Sequence, residues 1–151
     1  MFAQRLISTA RYLRRSLAES ARRVQALRER LKAVENIREA RGTTLLREWL
    51  SAEQQVQFDA TKSFEVIGCH SGKRYRILYG TATNIQELND AGHPVTGWCF
   101  IPSGHLVAGD VMLAQKIALE TDERGALKIA NGFSVRAPEI NNASAPLRRA
   151  Y

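Results

Sequence analysis

From Met1 to Arg41 the chain contains neither glycine nor proline, so no residue in this stretch interrupts a helix. Apolar residues fall at Leu13, Leu17, Val24, Leu27, Leu31 and Val34, at spacings of four, seven, three, four and three. This is a heptad seam. With Leu17, Val24 and Leu31 at a, the d positions hold Leu13, Leu27 and Val34; Ala3 and Ala10 extend a backward and Leu6 extends d. Ser20 at d weakens the middle. The pattern predicts one helix of about 35–40 residues, ~55 Å long at 1.5 Å per residue. Gly42 is expected to end it.

Charge follows the same boundary. Residues 1–50 hold 12 Lys/Arg against 5 Asp/Glu, while residues 51–151 hold 10 of each, so the whole net charge of +7 lies in the first third. The e and g positions beside the seam include Arg14, Arg23, Arg28, Arg30 and Glu35. A parallel in-register homodimer would oppose Arg23 with Arg28, which selects against it. Three partners remain for the arm: an acidic helix, an antiparallel copy of itself, or a polyanion. Arg14, Arg15, Arg22, Arg23, Arg28, Arg30 and Lys32 are the candidate contacts, and Tyr12 is the only aromatic of the arm after Phe2, so a nucleic acid would be held by its phosphates rather than stacked. A fourth reading makes these cations the solvated face of a helix lying on its own domain. Residues 1–18, with four Arg and no acid, also have the composition of a transit peptide, but the unbroken period to about Ile37 favours the start of one longer helix.

After the arm (1–42), residues 43–62 read as a helical hinge. Leu45, Leu46, Trp49 and Leu50 are expected to dock it on the core, and Ser51 with Gln54 has capping-box spacing. From Phe64 the period becomes two. Segments 64–69, 73–79, 83–88 and 95–101, separated by turn residues, predict a four-stranded antiparallel meander. Gly109 and Asp110 then open a helix whose Val111, Leu113, Ala114, Ile117 and Ala118 form an apolar face over the sheet, with a continuation ending at Asn131 and Gly132. The fold class is α+β: a long N-terminal helix and, over residues 63–134, a small antiparallel meander covered by a C-terminal helix. Residues 135–151 read as a flexible tail.

The run from Trp49 to Glu120, with SGKRYRILYG, NIQELNDAG, GWCFIP and GDVMLAQKIALE, resembles a family of short alphaproteobacterial proteins described only as hypothetical. The resemblance covers roughly half the chain, leaves out the arm and implies a bacterial, cytoplasmic setting. It transfers no catalytic residue.

The residues offer little for catalysis or cofactors. Cys69, His70, His93, Cys99 and His105 lack zinc-ligand spacing, and Cys69 and His70, if on a strand, would point to opposite faces. Cys99, between Trp98 and Phe100, suits a buried thiol. Ser103, His105 and Asp110 could be imagined as a triad, but a turn and a helix cap explain them. Gly72, Lys73 and Arg74 open a strand rather than a helix and lack the upstream glycine of a phosphate loop. Cys69 and Cys99 lie 30 apart, and residues 1–18 lack the apolar h-region of a secretory signal, so reduced thiols in a cytosol-like compartment are expected; no apolar run is long enough for a membrane span. The expectation is a small non-enzymatic interaction or accessory protein without metal or cofactor. Its basic arm engages an acidic helix or pairs with itself antiparallel; nonspecific nucleic-acid binding is the alternative.

Overall fold

The computed structural model describes the backbone of residues 2–104 and 106–135, and the side chains of residues 17–104 and 106–135. Helix α1 (Phe2–Trp49) is 48 residues long and runs through Gly42 without a break. The expected stop at Gly42 is thus overturned. Gly42 is buried against the N-terminal turn of a later helix, where the lack of a side chain permits close approach. Helix α2 (Ala52–Thr61) follows, opened by the expected capping box: Ser51 Oγ accepts from Gln54 N at 3.2 Å and Gln54 Oε1 accepts from Ser51 N at 3.1 Å. Lys62, in the left-handed conformation with φ 55°, closes it.

Strands β1 (Ser63–Ile67), β2 (Arg74–Leu78), β3 (Ile85–Leu88) and β4 (Pro94–Cys99) form the antiparallel meander that the period-two segments predict. A fifth strand, β5 (Asn131–Ser134), pairs antiparallel with β4 at the edge. Asn131 and Gly132 therefore begin a strand rather than cap a helix. Gly97 and Gly132 make room for this pairing: a methyl group at 97 would lie 2.1 Å from the Phe133 ring, and one at 132 would touch the Trp98 ring at 3.3 Å.

Helix α3 (Ala108–Thr121) covers one face of the sheet and packs on the C-terminal end of α1. Its buried stripe is Ala108, Val111, Met112, Gln115 and Leu119, with Leu113 beside it, whereas Ile117 is exposed. The expected face was rotated too far. Gln115, wholly buried, donates to Asn84 Oδ1 and to the Phe100 carbonyl, each at 2.9 Å, and accepts from Asn84 Nδ2 at 2.9 Å. This network pins the β2–β3 connection to the helix. Val107, not Asp110, occupies the N-cap, and no side chain caps there. The chain breaks at Asp122, whose carboxylate accepts from Gly125 N at 3.0 Å to start α4 (Glu123–Ile129).

Leu46, Leu50, Phe58, Phe64, Val66, Tyr75, Ile77, Ile85, Phe100, Met112, Leu113, Leu119 and Ala126 form the core. Two of the four hinge residues belong to it. Trp49, expected as a packing anchor, is 58 % exposed, and Leu45 is also exposed, because the uninterrupted α-helix turns both outward while Leu46 and Leu50 face inward. At the outer edge of β1, Glu65 N donates to Gln57 Oε1 at 2.8 Å and Gln54 Nε2 donates to the Glu65 carbonyl at 2.8 Å. Two glutamines of α2 thus occupy the backbone groups that another strand would use. The tail predicted over 135–151 lies, apart from Val135, outside the described residues.

Candidate functional site

The arm stands away from the domain. Leu17, Val24, Leu27, Leu31 and Val34, together with Ile37 at the next g position, are each between 49 % and 69 % exposed. The solvated-face reading, in which the arm lies on its own domain, does not hold for residues 17–38. Docking begins at Glu39. One oxygen of its carboxylate accepts from the Tyr79 hydroxyl and the other from Ala108 N at 3.2 Å, so one side chain joins α1, the end of β2 and the start of α3. Burial pushes the Tyr79 hydroxyl above its ordinary range, and the bond to Glu39 adds to this.

Around the described arm, Arg23 and Arg30 border the seam on one side and Arg28 on the other, while Arg22 and Lys32 lie further round the helix. All five are exposed. Leu13, Arg14 and Arg15 lie on α1, with side chains outside the described residues. The a and d positions continue past the seam to Arg38, Arg41 and Leu45. These three, with Gly42, Val107 and Asp110, line a notch of about 240 Å³ where α1 meets α3.

A second cluster lies at the opposite end of the domain. Glu123 is 2 % exposed, yet its carboxylate accepts four hydrogen bonds. His70 N and Ser71 N donate to Oε2 at 2.8 and 2.7 Å; the Ser71 hydroxyl and the Tyr75 hydroxyl donate to Oε1, the latter at 2.7 Å. Burial alone would raise its pKa, but the bonds from Ser71, Tyr75 and His70 together outweigh burial and hold it at about 2. Burial pushes Tyr75 upward, and the neighbouring Glu123 pushes it further, so the phenol stays a donor. The arrangement fastens the β1–β2 turn to α4. A general base needs a free lone pair and a pKa near the working pH, and Glu123 offers neither.

Cys69 and His70 sit in that turn rather than on a strand, so the alternation that would separate them does not apply. Sγ and Nδ1 are 3.1 Å apart, and Glu123 N donates to Sγ at 3.4 Å. Among the described residues, Cys69, His70 and Glu123 place one possible metal-ligand atom each within 4.8 Å of one another. With the carboxylate already saturated, two exposed ligands remain, fewer than the three or four protein ligands of a zinc centre. Cys99 is half-buried and its Sγ accepts from Thr83 N at 3.3 Å. His93 and Ser103 are exposed on separate loops, Asp110 lies in the first turn of α3, and His105 lies outside the described residues.

The cations of the Gly72 turn are engaged by carboxylates. Lys73 Nζ meets Glu87 Oε1 at 2.5 Å, and Arg74 and Arg76 each reach Glu65 at 2.8 Å. Burial of Glu65 opposes its ionisation, but the two guanidinium groups prevail and lower its pKa. The chain matches no protein-family model, and no curated protein or solved structure is detectably similar to it. The residues missed by pattern are Glu39, Gln115 and Glu123. Each is a polar group buried or engaged through contacts distant in sequence.

No helix among the described residues is long and apolar enough to cross a membrane.

Proposed function

We propose that the protein is a non-enzymatic adaptor whose α1 arm binds an acidic amphipathic helix of a partner protein. The observation that supports this reading is the exposed apolar stripe Leu17–Ile37 on a basic helix that leaves its own domain. An isolated helix of this kind gains little from propensity alone and is stabilised chiefly by covering its apolar face. Arg23, Arg28 and Arg30 flank the stripe on both sides, which favours carboxylates at the partner's edges. A polyanion would satisfy the arginines but leave the leucines in water. A second copy would cover the leucines but bring the net positive charge of the arm against itself. An acidic helix meets both needs. The bacterial, cytoplasmic setting implied by the resemblance is part of this proposal, and two free thiols are compatible with it.

The test uses the full chain and a synthetic heptad peptide with Leu at a and d and Glu at e and g. Light scattering is expected to give a monomer that forms a one-to-one complex with the peptide, and L27D/L31D is expected to abolish it. Stable dimers without peptide, or nucleic-acid binding that falls steeply with salt and is indifferent to L27D/L31D, would replace this reading with self-association or polyanion binding.

A further inference from the structure

The arm does not offer an open-ended groove, because its heptad register runs into the fold. Position a passes from Leu31 to Arg38 to Leu45, and position d from Val34 to Arg41. Arg38, Arg41 and Leu45 are also three of the six residues lining the α1–α3 notch. The stripe that a partner would follow thus ends in a pocket whose apolar wall is Leu45 and buried Val107, and whose mouth carries two guanidinium groups. Among the described residues lining it Asp110, on the α3 side, is the acidic one, and Glu35, one turn back on α1, meets Arg38 at 4.0 Å.

Building on the adaptor reading, we propose that this notch is the terminal seat of the partner helix. It receives one apolar side chain against Leu45 and Val107, with carboxylates of the same helical turn paired to Arg38 and Arg41. The charges dictate the arrangement. An anionic turn is attracted by Arg41 and by Arg38, which would share its guanidinium between Glu35 and the partner, and is repelled by Asp110, so its carboxylates sit on the α1 side while the apolar residue takes the floor. A volume of about 240 Å³ admits one side chain of leucine or phenylalanine size, and beyond it α3 covers α1, Gly109 resting on Gly42, so a partner helix cannot follow the arm further. The seat therefore sets the register along the arm. A uniform seam permits slippage by a heptad, and a stop at one end removes it.

The floor is also structural. Gly42 lies in the lining, and Ala108, next to Val107, donates its N–H to Glu39.

The experiment compares the acidic heptad peptide with a copy lacking the heptad opposite Arg38 and Arg41, on the wild-type chain, on R38E/R41E and on the control R22E/K32E. The control carries the same charge change on the outer face of the arm. The expected result is that R38E/R41E weakens the full peptide roughly tenfold more than R22E/K32E does, while the two variants weaken the shortened peptide alike. Replacing the glutamates of the terminal heptad with lysine should restore binding to R38E/R41E. If the full peptide binds the wild-type chain but both variants weaken it equally, the seat is overturned and the arm remains a binding helix. If neither peptide binds the wild-type chain, the adaptor reading fails and the seat fails with it.

Discussion

Gly109 of α3 rests directly on the backbone of Gly42 in α1: a methyl group at 109 would lie 2.3 Å from the Gly42 carbonyl carbon and 2.4 Å from its oxygen. Two helices approach this closely only where both lack side chains. G109A should therefore destabilise the domain by about 2–3 kcal/mol, because the clashing atoms are backbone and cannot move aside. At Gly42 the first obstacle is the tip of Val107, 2.5 Å away, and alanine gains about 1 kcal/mol in helix propensity, so G42A should cost clearly less. Urea denaturation of both variants checks the order; equal losses would contradict it.

The buried carboxylate of Glu123 makes stability depend on acid. Its folded pKa of about 2 lies below the ordinary value of 4.5, so its contribution is fully present above pH ~4.5 and is lost as pH falls towards 2. The size is on the order of 3 kcal/mol. E123Q should be less stable at pH 7 by a similar amount and should lose stability less steeply between pH 5 and pH ~2.5. Glu65, depressed by Arg74 and Arg76, keeps part of the slope in that variant. Denaturant titrations at several pH values test this, and parallel curves for the two proteins would refute it.

Gln115→Leu removes the partner of both ends of the Asn84 amide and of the Phe100 carbonyl. Leucine fits the apolar setting in volume, but the stranded polar groups should cost about 2–3 kcal/mol. Asn84 Nδ2 also donates to the Leu78 and Gly80 carbonyls, so Q115L/N84L should be less stable than Q115L, but by less than the sum of the two single losses because the Gln115–Asn84 bonds are counted in both. A double variant less stable than the sum of the single losses would show that the network is not the cause.

Glu39→Ala deletes the acceptor shared by Tyr79 and Ala108. About 1–2 kcal/mol should be lost. Hydrogen exchange should accelerate first in residues 36–46 of α1, with the sheet little affected. Y79F should give a smaller effect in the same segment. Uniform acceleration across the domain would mean that Glu39 does not act locally.

The parts of this fold readable in the sequence are those specified locally. The seam from Leu17 to Val34, the Ser51–Gln54 box and the four strands of the meander each declare themselves within a few residues. Strand β5 did not, because Asn131-Gly132 serves a helix end as readily as a turn into a strand. A usable signal lay elsewhere: Gly97, set in an apolar strand, marks a close approach, and the Phe133 ring fills it. The helix stop expected at Gly42 failed for a related reason, since glycine there serves packing rather than a cap. Gln115 and Glu123 were illegible because a polar residue on a helix gives no sign of being buried until its partners, Asn84 or the turn at Ser71, arrive from distant segments. The apolar stripe of the arm was legible in the sequence, whereas the notch between α1 and α3 required α3 to be in place.

The glutamines that occupy Glu65 have a consequence for assembly. A sheet with two open edges can add copies without limit and build fibres; one with a single open edge stops at a pair. With Gln54 and Gln57 bound to the outward N–H and carbonyl of Glu65 in the middle of β1, an incoming strand would have to displace both glutamines, so among the described residues this edge is guarded against the strand addition that builds fibres.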